Sequence, residues 1–267
     1  MKSIIQLGDR GQIVADIQRK LNISSDGNFG HETQSYVIAY QKSHFLNTDG
    51  AVGPKTLNSL GITIKPGIDV SRYQGDIDWK QVAKAGCKFA YIKAGQGTSK
   101  AAEKFKYNWQ GAYVNSIQRG AYWFAVPHDH TADAEANACV AVVGRLLPND
   151  LPVALDLEQY ADGLSVEALQ TWVLRFMQIV DDGTGKKPIL YTYMPFLLNQ
   201  LGGGKLIADG GYELWIARYN GNDAVDPSDS RYNLCAFPRW KIWQYTDAGH
   251  KAGITDGHVD FDVMVEV

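Results

Sequence analysis

The sequence predicts an α/β protein in which a β/α barrel follows a small all-α domain of three helices. Three observations lead to this expectation: an internal repeat at the start of the chain, a break at 62–66, and after it an alternation of short apolar runs with helix-like stretches. A chain of 267 residues is long enough for one enzyme-sized domain with a small companion.

The first domain is predicted from a repeat within residues 1–61. Residues 26–33 return as residues 49–56 with one pattern: Asp-Gly, any residue, an apolar residue, Gly, any two residues, Thr. Asp-Gly favours a tight turn, and Pro54 suits the first turn of a helix. Aliphatic and aromatic residues recur at helical spacing in three places, which predicts three short helices around one small core.

A linker and a larger second domain are predicted from the pattern of apolar and polar residues in the remaining chain. Residues 62–66 include Pro66 and lack helical or strand periodicity, so we place the linker there and the second domain at 67–267. Apolar runs then alternate with helix-like stretches such as 79–85 and 166–180; the runs lie at 89–92, 151–155, 188–191 and 214–217. Continuous apolar strands separated by helices are typical of a parallel β/α fold, here of barrel size.

Composition limits the partners that the chain can have. The formal net charge is −3, so no basic surface is available for nucleic acid or a membrane of anionic lipid, and we expect neither as a partner. We also expect a monomer. The N-terminal segment shows no signal-peptide pattern, which predicts synthesis in the cytoplasm. Three widely spaced cysteines predict neither a disulfide nor a zinc site. His128-Asp129-His130 has no further ligand nearby in the sequence, so we expect no metal and no cofactor.

Two acidic residues behind an apolar run are the first candidates for catalysis. Asp156 and Glu158 follow the run at 151–155. Residues two apart on a strand face the same side, about 6 to 7 Å apart at their bases. Such close, partly buried carboxylates raise each other's pKa, so one can remain protonated as the general acid that glycoside cleavage needs. Two other acidic pairs have the same spacing: Asp76 with Asp78 in a polar turn, and Asp133 with Glu135 in an alanine-rich stretch. We interpret both pairs as part of the solvated surface.

Short motifs in a fixed order run through residues 67–267. They are G-I-D-V-S at 67–71, Y-Q-G at 73–75, I-D-W at 77–79, I-K-A at 92–94, G-A-Y at 120–122, D-L-E at 156–158, L-W-I-A at 214–217, I-W-Q-Y at 242–245 and V-D-F-D at 259–262. Together they resemble the glycoside hydrolase family 25 muramidases. The resemblance implies an irregular TIM-like barrel of eight strands with fewer helices. It also implies cleavage of the β-1,4 bond between N-acetylmuramic acid and N-acetylglucosamine.

The same resemblance implies roles for four acids. Glu158 would be the general acid, and Asp156 would orient or stabilise the acetamido group of the substrate. In the mechanism that the resemblance implies, the acetamido oxygen attacks the anomeric carbon, so no carboxylate nucleophile is needed. Asp69 and Asp260 would hold the sugar and tune the ionisation of the acid. Three positions depart from the residues common in the family, which bears on substrate preference and pH optimum: Gln96, Trp123 and Asp262.

Aromatic side chains near strand ends are candidates for sugar contacts, because sugars present flat apolar faces with hydroxyl edges. Five are predicted to bind substrate: Tyr122, Tyr193, Trp243, Trp123 and Tyr245. For each of them, core packing is the alternative.

The repeat in residues 1–61 resembles the peptidoglycan-binding domains of wall hydrolases, although its glycines and threonines also serve turns and caps. Both resemblances imply bacterial peptidoglycan as partner, and an endolysin-like muramidase of a phage or prophage, made in the host cytoplasm and acting on the cell wall after release. Two alternatives stay open: a catalytically silent wall-binding protein, and a hydrolase of another N-acetylglucosamine polymer.

Overall fold

The computed structural model of the chain describes residues 4–159, 161, 163–219 and 234–267. These residues form two compact units, which divide between Ile64 and Lys65. The division falls inside the predicted linker, 62–66, but the expectation that this segment lacks strand structure is wrong. Strand β1 runs Thr63–Val70, and its first four residues are exposed or half-buried without alternation, so no strand pattern shows in the sequence.

The small unit contains the three predicted helices. These are α1 (Gln12–Lys20), α2 (His31–Ser43) and α3 (Pro54–Ser59). Ile17, Val37 and Val52 are fully buried between them. The expected all-α domain with one small core is therefore confirmed.

Two buried glutamines explain the sequence repeat of the small unit. In each copy the amide oxygen of a glutamine accepts the N–H of the turn glycine, while its nitrogen donates to three oxygens of the same loop. For Gln18 the partners are Asp26, Gly27, the Asn28 carbonyl and Thr33. For Gln41 they are Asp49, Gly50, the Ala51 carbonyl and Thr56. The repeated Asp, Gly and Thr are thus the ligands of one buried amide.

The large unit is a closed eight-stranded barrel with its strands in chain order. After β1 come β2 (Phe89–Gln96), β3 (Gln118–Phe124), β4 (Ala154–Asp156), β5 (Ile189–Tyr193), β6 (Glu213–Ala217), β7 (Ile242–Gly249) and β8 (Val259–Glu266). Neighbouring strands from β1 to β7 are parallel, but β7 and β8 are antiparallel. The barrel is confirmed, and the expectation of a wholly parallel sheet is corrected at β8, where no crossover helix intervenes.

Six α-helices surround the barrel in the described part of this unit, fewer than its strands. They are α4 (Trp79–Lys84), α5 (Phe105–Val114), α6 (Ala132–Val143), α7 (Val166–Thr184), α8 (Met194–Asn199) and α9 (Lys205–Asp209). The hydroxyls of Thr131 and Ser165 accept N–H groups at the starts of α6 and α7. Among the helices described, none has both the length and the apolar character that a bilayer crossing requires.

The interior of the barrel changes from apolar to polar along the strands. Its floor is a packed cluster that includes Phe89, Tyr91 and Ala154. Side chains alternate between the two faces of a strand, so the next inward residue after Ala154 is Asp156. In the same way Gln244 follows Ile242 on β7. Polar side chains are therefore directed into the barrel above its apolar floor.

Candidate active site

The four acids predicted from the sequence line one cavity at the mouth of the barrel. Asp69 belongs to β1, Asp156 ends β4, and Asp260 lies near the start of β8. Glu158 lies two residues beyond β4. The remaining lining residues are Tyr122, Tyr191, Trp215 and Gln244. The structure thus brings together side chains from distant parts of the sequence.

The backbone beyond β4 places Glu158 beside Asp156. The Leu157 N–H donates to the Tyr191 carbonyl at 3.0 Å, and the Thr192 hydroxyl donates to the Leu157 carbonyl at 2.7 Å. These bonds anchor the chain to β5 past the end of the strand, and both carboxyls line the cavity as the two-residue spacing predicts. Asp156 Oδ1 is buried and has no hydrogen-bond partner within the described part of the chain.

The environment of this pair favours keeping a proton. Burial raises the pKa of Asp156 well above its usual range, and the neighbouring charge of Glu158 raises it further. Burial also raises the pKa of Glu158, while the positive charge of Lys93 opposes the rise for both groups. Two carboxyls in one half-buried site ionise with difficulty together, so the pair can supply a proton to a bound substrate.

A second cluster of acidic residues lies across the cavity from Asp156 and Glu158. Burial raises the pKa of Asp69 well above its usual range, followed by repulsion from Asp262. Burial and the charge of Asp69 raise the pKa of Asp260 to about 9. Asp262 is fully buried and accepts the indole N–H of Trp215 at 2.9 Å. Burial raises the pKa of Asp262 as well, so simultaneous ionisation of all three carboxyls is disfavoured.

Two of the five predicted sugar-binding aromatics lie where a substrate can reach them. Tyr122 is half-buried and lines the acidic cavity. Tyr193 lines an adjoining cavity that shares Glu158 and Tyr191 with the first. Arg218 and Tyr219 also line this second cavity.

The other three predicted aromatics line neither of these cavities. Trp123 is fully buried and donates its indole N–H to the Gly97 carbonyl at 3.1 Å. Trp243 is 4% exposed and donates to the Arg218 carbonyl at 3.0 Å. Tyr245 packs its ring against Trp243. Each is adjacent in sequence to an inward residue, so strand alternation turns it to the outer face of the barrel.

Three lining residues are outside the predicted set: Tyr191 and Trp215, which also lie near strand ends in the sequence, and Gln244. Tyr191 lies two residues before Tyr193 on β5, and Gln244 lies two residues after the floor residue Ile242. Counting in twos along each strand from one inward residue would have found them. An uncharged amide such as Gln244 gives no chemical signal by itself.

The remaining acidic pairs differ from expectation at one position. Asp76 is exposed and pairs with Lys104, and Asp78 caps α4 by accepting the Gln81 N–H at 3.1 Å. Glu135, expected on a solvated surface, is fully buried, and burial raises its pKa to about 7. Within the described residues, no group of three or more His, Cys, Asp or Glu side chains is arranged to hold a metal ion.

Comparison with known families matches both parts of the chain. The model described as glycosyl hydrolases family 25 covers residues 68–254, and the model described as putative peptidoglycan binding domain covers residues 10–60. Lysozyme M1 of Streptomyces globisporus is 33% identical over 201 residues, which are 73% of this chain and 65% of that protein.

Two further relatives extend the comparison. A lysozyme of Streptococcus phage Cp-7 is 32% identical over 189 residues, which are 67% of this chain and 49% of the phage protein. The crystal structure of a bacterial lysozyme from Streptomyces coelicolor superposes with a TM-score of 0.66 and 32% identity, covering 74% of this chain and 90% of that one. The matched region thus spans less than two thirds of the phage lysozyme and of Lysozyme M1.

Proposed function

This chain belongs to family 25 of the glycosyl hydrolases, and on that premise we propose that it is an N-acetylmuramidase acting on bacterial peptidoglycan. The bond cleaved is the β-1,4 linkage between N-acetylmuramic acid and N-acetylglucosamine. One observation carries the proposal: Asp69, Asp156, Glu158 and Asp260 meet in a single cavity at the mouth of the barrel. The names of the lysozymes among its relatives support the same substrate class.

Glu158 is the general acid in this proposal. It is half-buried, and burial raises its pKa, which favours a protonated carboxyl near neutral pH. Its proton passes to the glycosidic oxygen as the bond from that oxygen to the anomeric carbon breaks, and the bonding electrons stay on the oxygen. The resulting carboxylate then takes a proton from the water that completes hydrolysis.

Asp156 orients the acetamido group of the substrate. The acetamido oxygen forms a bond to the anomeric carbon as the leaving sugar departs, and water later opens the ring so formed. Asp156 Oδ1 is buried without a partner in the described residues, so it is available to accept the acetamido N–H. Asp69 and Asp260 face the same cavity and hold the sugar, with Tyr122 and Tyr193 as aromatic contacts.

The small unit serves as a wall-binding domain in this proposal. Residues 1–61 would anchor the chain to peptidoglycan, and residues 67–267 would form the catalytic domain, joined through 62–66. The match of residues 10–60 to a putative peptidoglycan binding domain supports this division. The phage lysozyme among the relatives supports an endolysin of a phage or prophage, made in the host cytoplasm and acting on the cell wall after release.

Digestion of purified cell walls tests the proposal. The full chain is incubated with walls, new reducing ends are counted, and the fragments are analysed by mass spectrometry. Muramic acid at the new reducing ends is the expected result. N-acetylglucosamine at those ends, or cleavage of chitin in preference to walls, would reassign the substrate. Sedimentation with walls without any product would make the protein a silent binder.

A further inference from the structure

We infer that Gln244 is a positioning residue for the reaction, whose side-chain amide fixes how Asp69 and Asp260 are presented to the substrate. The inference deepens the proposed glycosidase function and rests on it. Gln244 is 2% exposed, lies on the inward face of β7, and lines the acidic cavity.

All four bonding positions of the Gln244 amide are occupied by side chains. Its nitrogen donates to Asp69 Oδ2 at 2.7 Å and to Asp260 Oδ2 at 3.4 Å. Its oxygen accepts the hydroxyl of Tyr191 at 2.9 Å and that of Tyr219 at 3.1 Å. A primary amide has two N–H donors and two acceptor lone pairs, so this side chain is saturated.

The partners determine which way the amide points. A hydroxyl can donate or accept, and so it adapts to either end of an amide. The carboxylate oxygens of Asp69 and Asp260 accept, and the reversed amide would set its oxygen against them. A carboxylate therefore sets the orientation, and the hydroxyls of Tyr191 and Tyr219 complete it by donating to the amide oxygen.

This arrangement selects the oxygens that carry protons. An amide N–H can only donate, so the two Oδ2 atoms are held as acceptors, and a proton carried by Asp69 or Asp260 is directed to the other oxygens. Burial raises the pKa of both groups, and the bond from Gln244 lowers that of Asp69. Because the amide is neutral, it stabilises a carboxylate without cancelling its negative charge. A lysine would cancel that charge. Negative charge in the cavity stabilises the positive charge that develops on the sugar.

A glutamate at this position tests the role directly. The substitution Gln244→Glu keeps the shape of the side chain. While protonated it can still donate to Asp69, but once ionised it adds a charge beside two carboxyls. A negative charge there raises the pKa of the neighbouring carboxyls. We therefore expect the alkaline limb of kcat against pH, on which the general acid loses its proton, to move to higher pH by about one unit, a change of about tenfold at a given pH on that limb, with little change in KM.

Gln170 supplies a matched control. It is another buried glutamine of the large unit, 6% exposed, but it bonds only backbone groups: it donates to the Leu201 carbonyl and accepts the Leu206 N–H. The variant Gln170→Glu should lose stability and keep the parent pH profile. If Gln244→Glu folds and also keeps that profile, the glutamine is only a packing residue and the inference is wrong.

A measurement on the unmodified protein covers the case in which Gln244→Glu does not fold. The side-chain NH₂ resonances of Gln244 are followed by NMR from pH 5 to pH 10. Gln244 donates to the carboxyl of Asp260, whose pKa burial raises to about 9, so these resonances should shift as that carboxyl loses its proton. Resonances that stay constant while those of Asp260 move would overturn the inference. Lack of wall hydrolysis by the parent protein would instead refute the proposed function, and it would not change the NMR result.

Discussion

Replacing Glu158 by glutamine is expected to remove nearly all hydrolytic activity and leave the fold intact. The change keeps the size of the side chain and deletes the proton that the leaving oxygen needs. General acid catalysis contributes about 10² to 10⁴ in rate, or about 3 to 5 kcal/mol of activation free energy. Because burial raises the pKa of Glu158, the ionised form is costly in the folded state, and a neutral amide should not lower stability.

The assay is the release of reducing ends from purified walls across the pH range, with circular dichroism and thermal unfolding as tests of folding. Glu135→Gln is the matched control, because Glu135 is also buried with a raised pKa but lies on α6 and does not line the acidic cavity. It should retain the parent activity. Full activity in Glu158→Gln would refute the assignment of the acid, and equal losses in both variants would show that any buried glutamate gives the effect.

Three further substitutions test the reasoning about buried polar groups. Burial raises the folded-state pKa of Asp262 above its ordinary 3.8, so this residue costs stability increasingly as pH rises above that value. Asp262→Asn should therefore raise the melting temperature at pH 7 and by less at pH 4; an equal change at both would contradict this. Arg119→Met breaks a buried ion pair with Asp150 of 2.8 Å and leaves the carboxylate unpaired. It should cost about 3 to 5 kcal/mol in chemical unfolding, and a cost under about 1 kcal/mol would show that the site admits water. Gln41→Leu leaves the buried polar groups of the second repeat loop unpaired, for a loss of roughly 1 to 3 kcal/mol. It should appear as earlier thermal unfolding of the small unit, and an unchanged transition would mean that the loop is held by other contacts.

Much of the fold was predictable because buried parallel strands leave continuous apolar runs in a sequence. The direction of β8 was not, since Val259–Glu266 reads as a strand whichever way it runs. Its direction depends on the connection 250–258, which contains no helix. Likewise the first half of β1 is solvent-facing, and nothing in its composition separates it from a linker.

The acids of the site were predictable and most of its other residues were not. An acidic pair behind an apolar run is costly unless it has a role, so Asp156 and Glu158 stand out. Aromatic residues occur on either face of a barrel strand. Only the alternation of side chains along the strand distinguishes the inward Tyr122 from the outward Trp123. Glu135 was misjudged because an alanine-rich helix was interpreted as exposed. Small side chains instead allow α6 to pack closely between α7 and β2.

The closed order of the strands also determines when the catalytic centre can first exist. Asp69 is on the first strand and Asp260 on the last, and nearly the whole large unit separates them along the chain. A nascent polypeptide emerging from the ribosome can pair β1 with β2 early, but β8 is the last of the barrel strands to be synthesised. Bringing the two ends together is the most non-local step in folding, and we expect it to be slow. Until that step is complete, Asp69 and Asp260 cannot meet in one cavity.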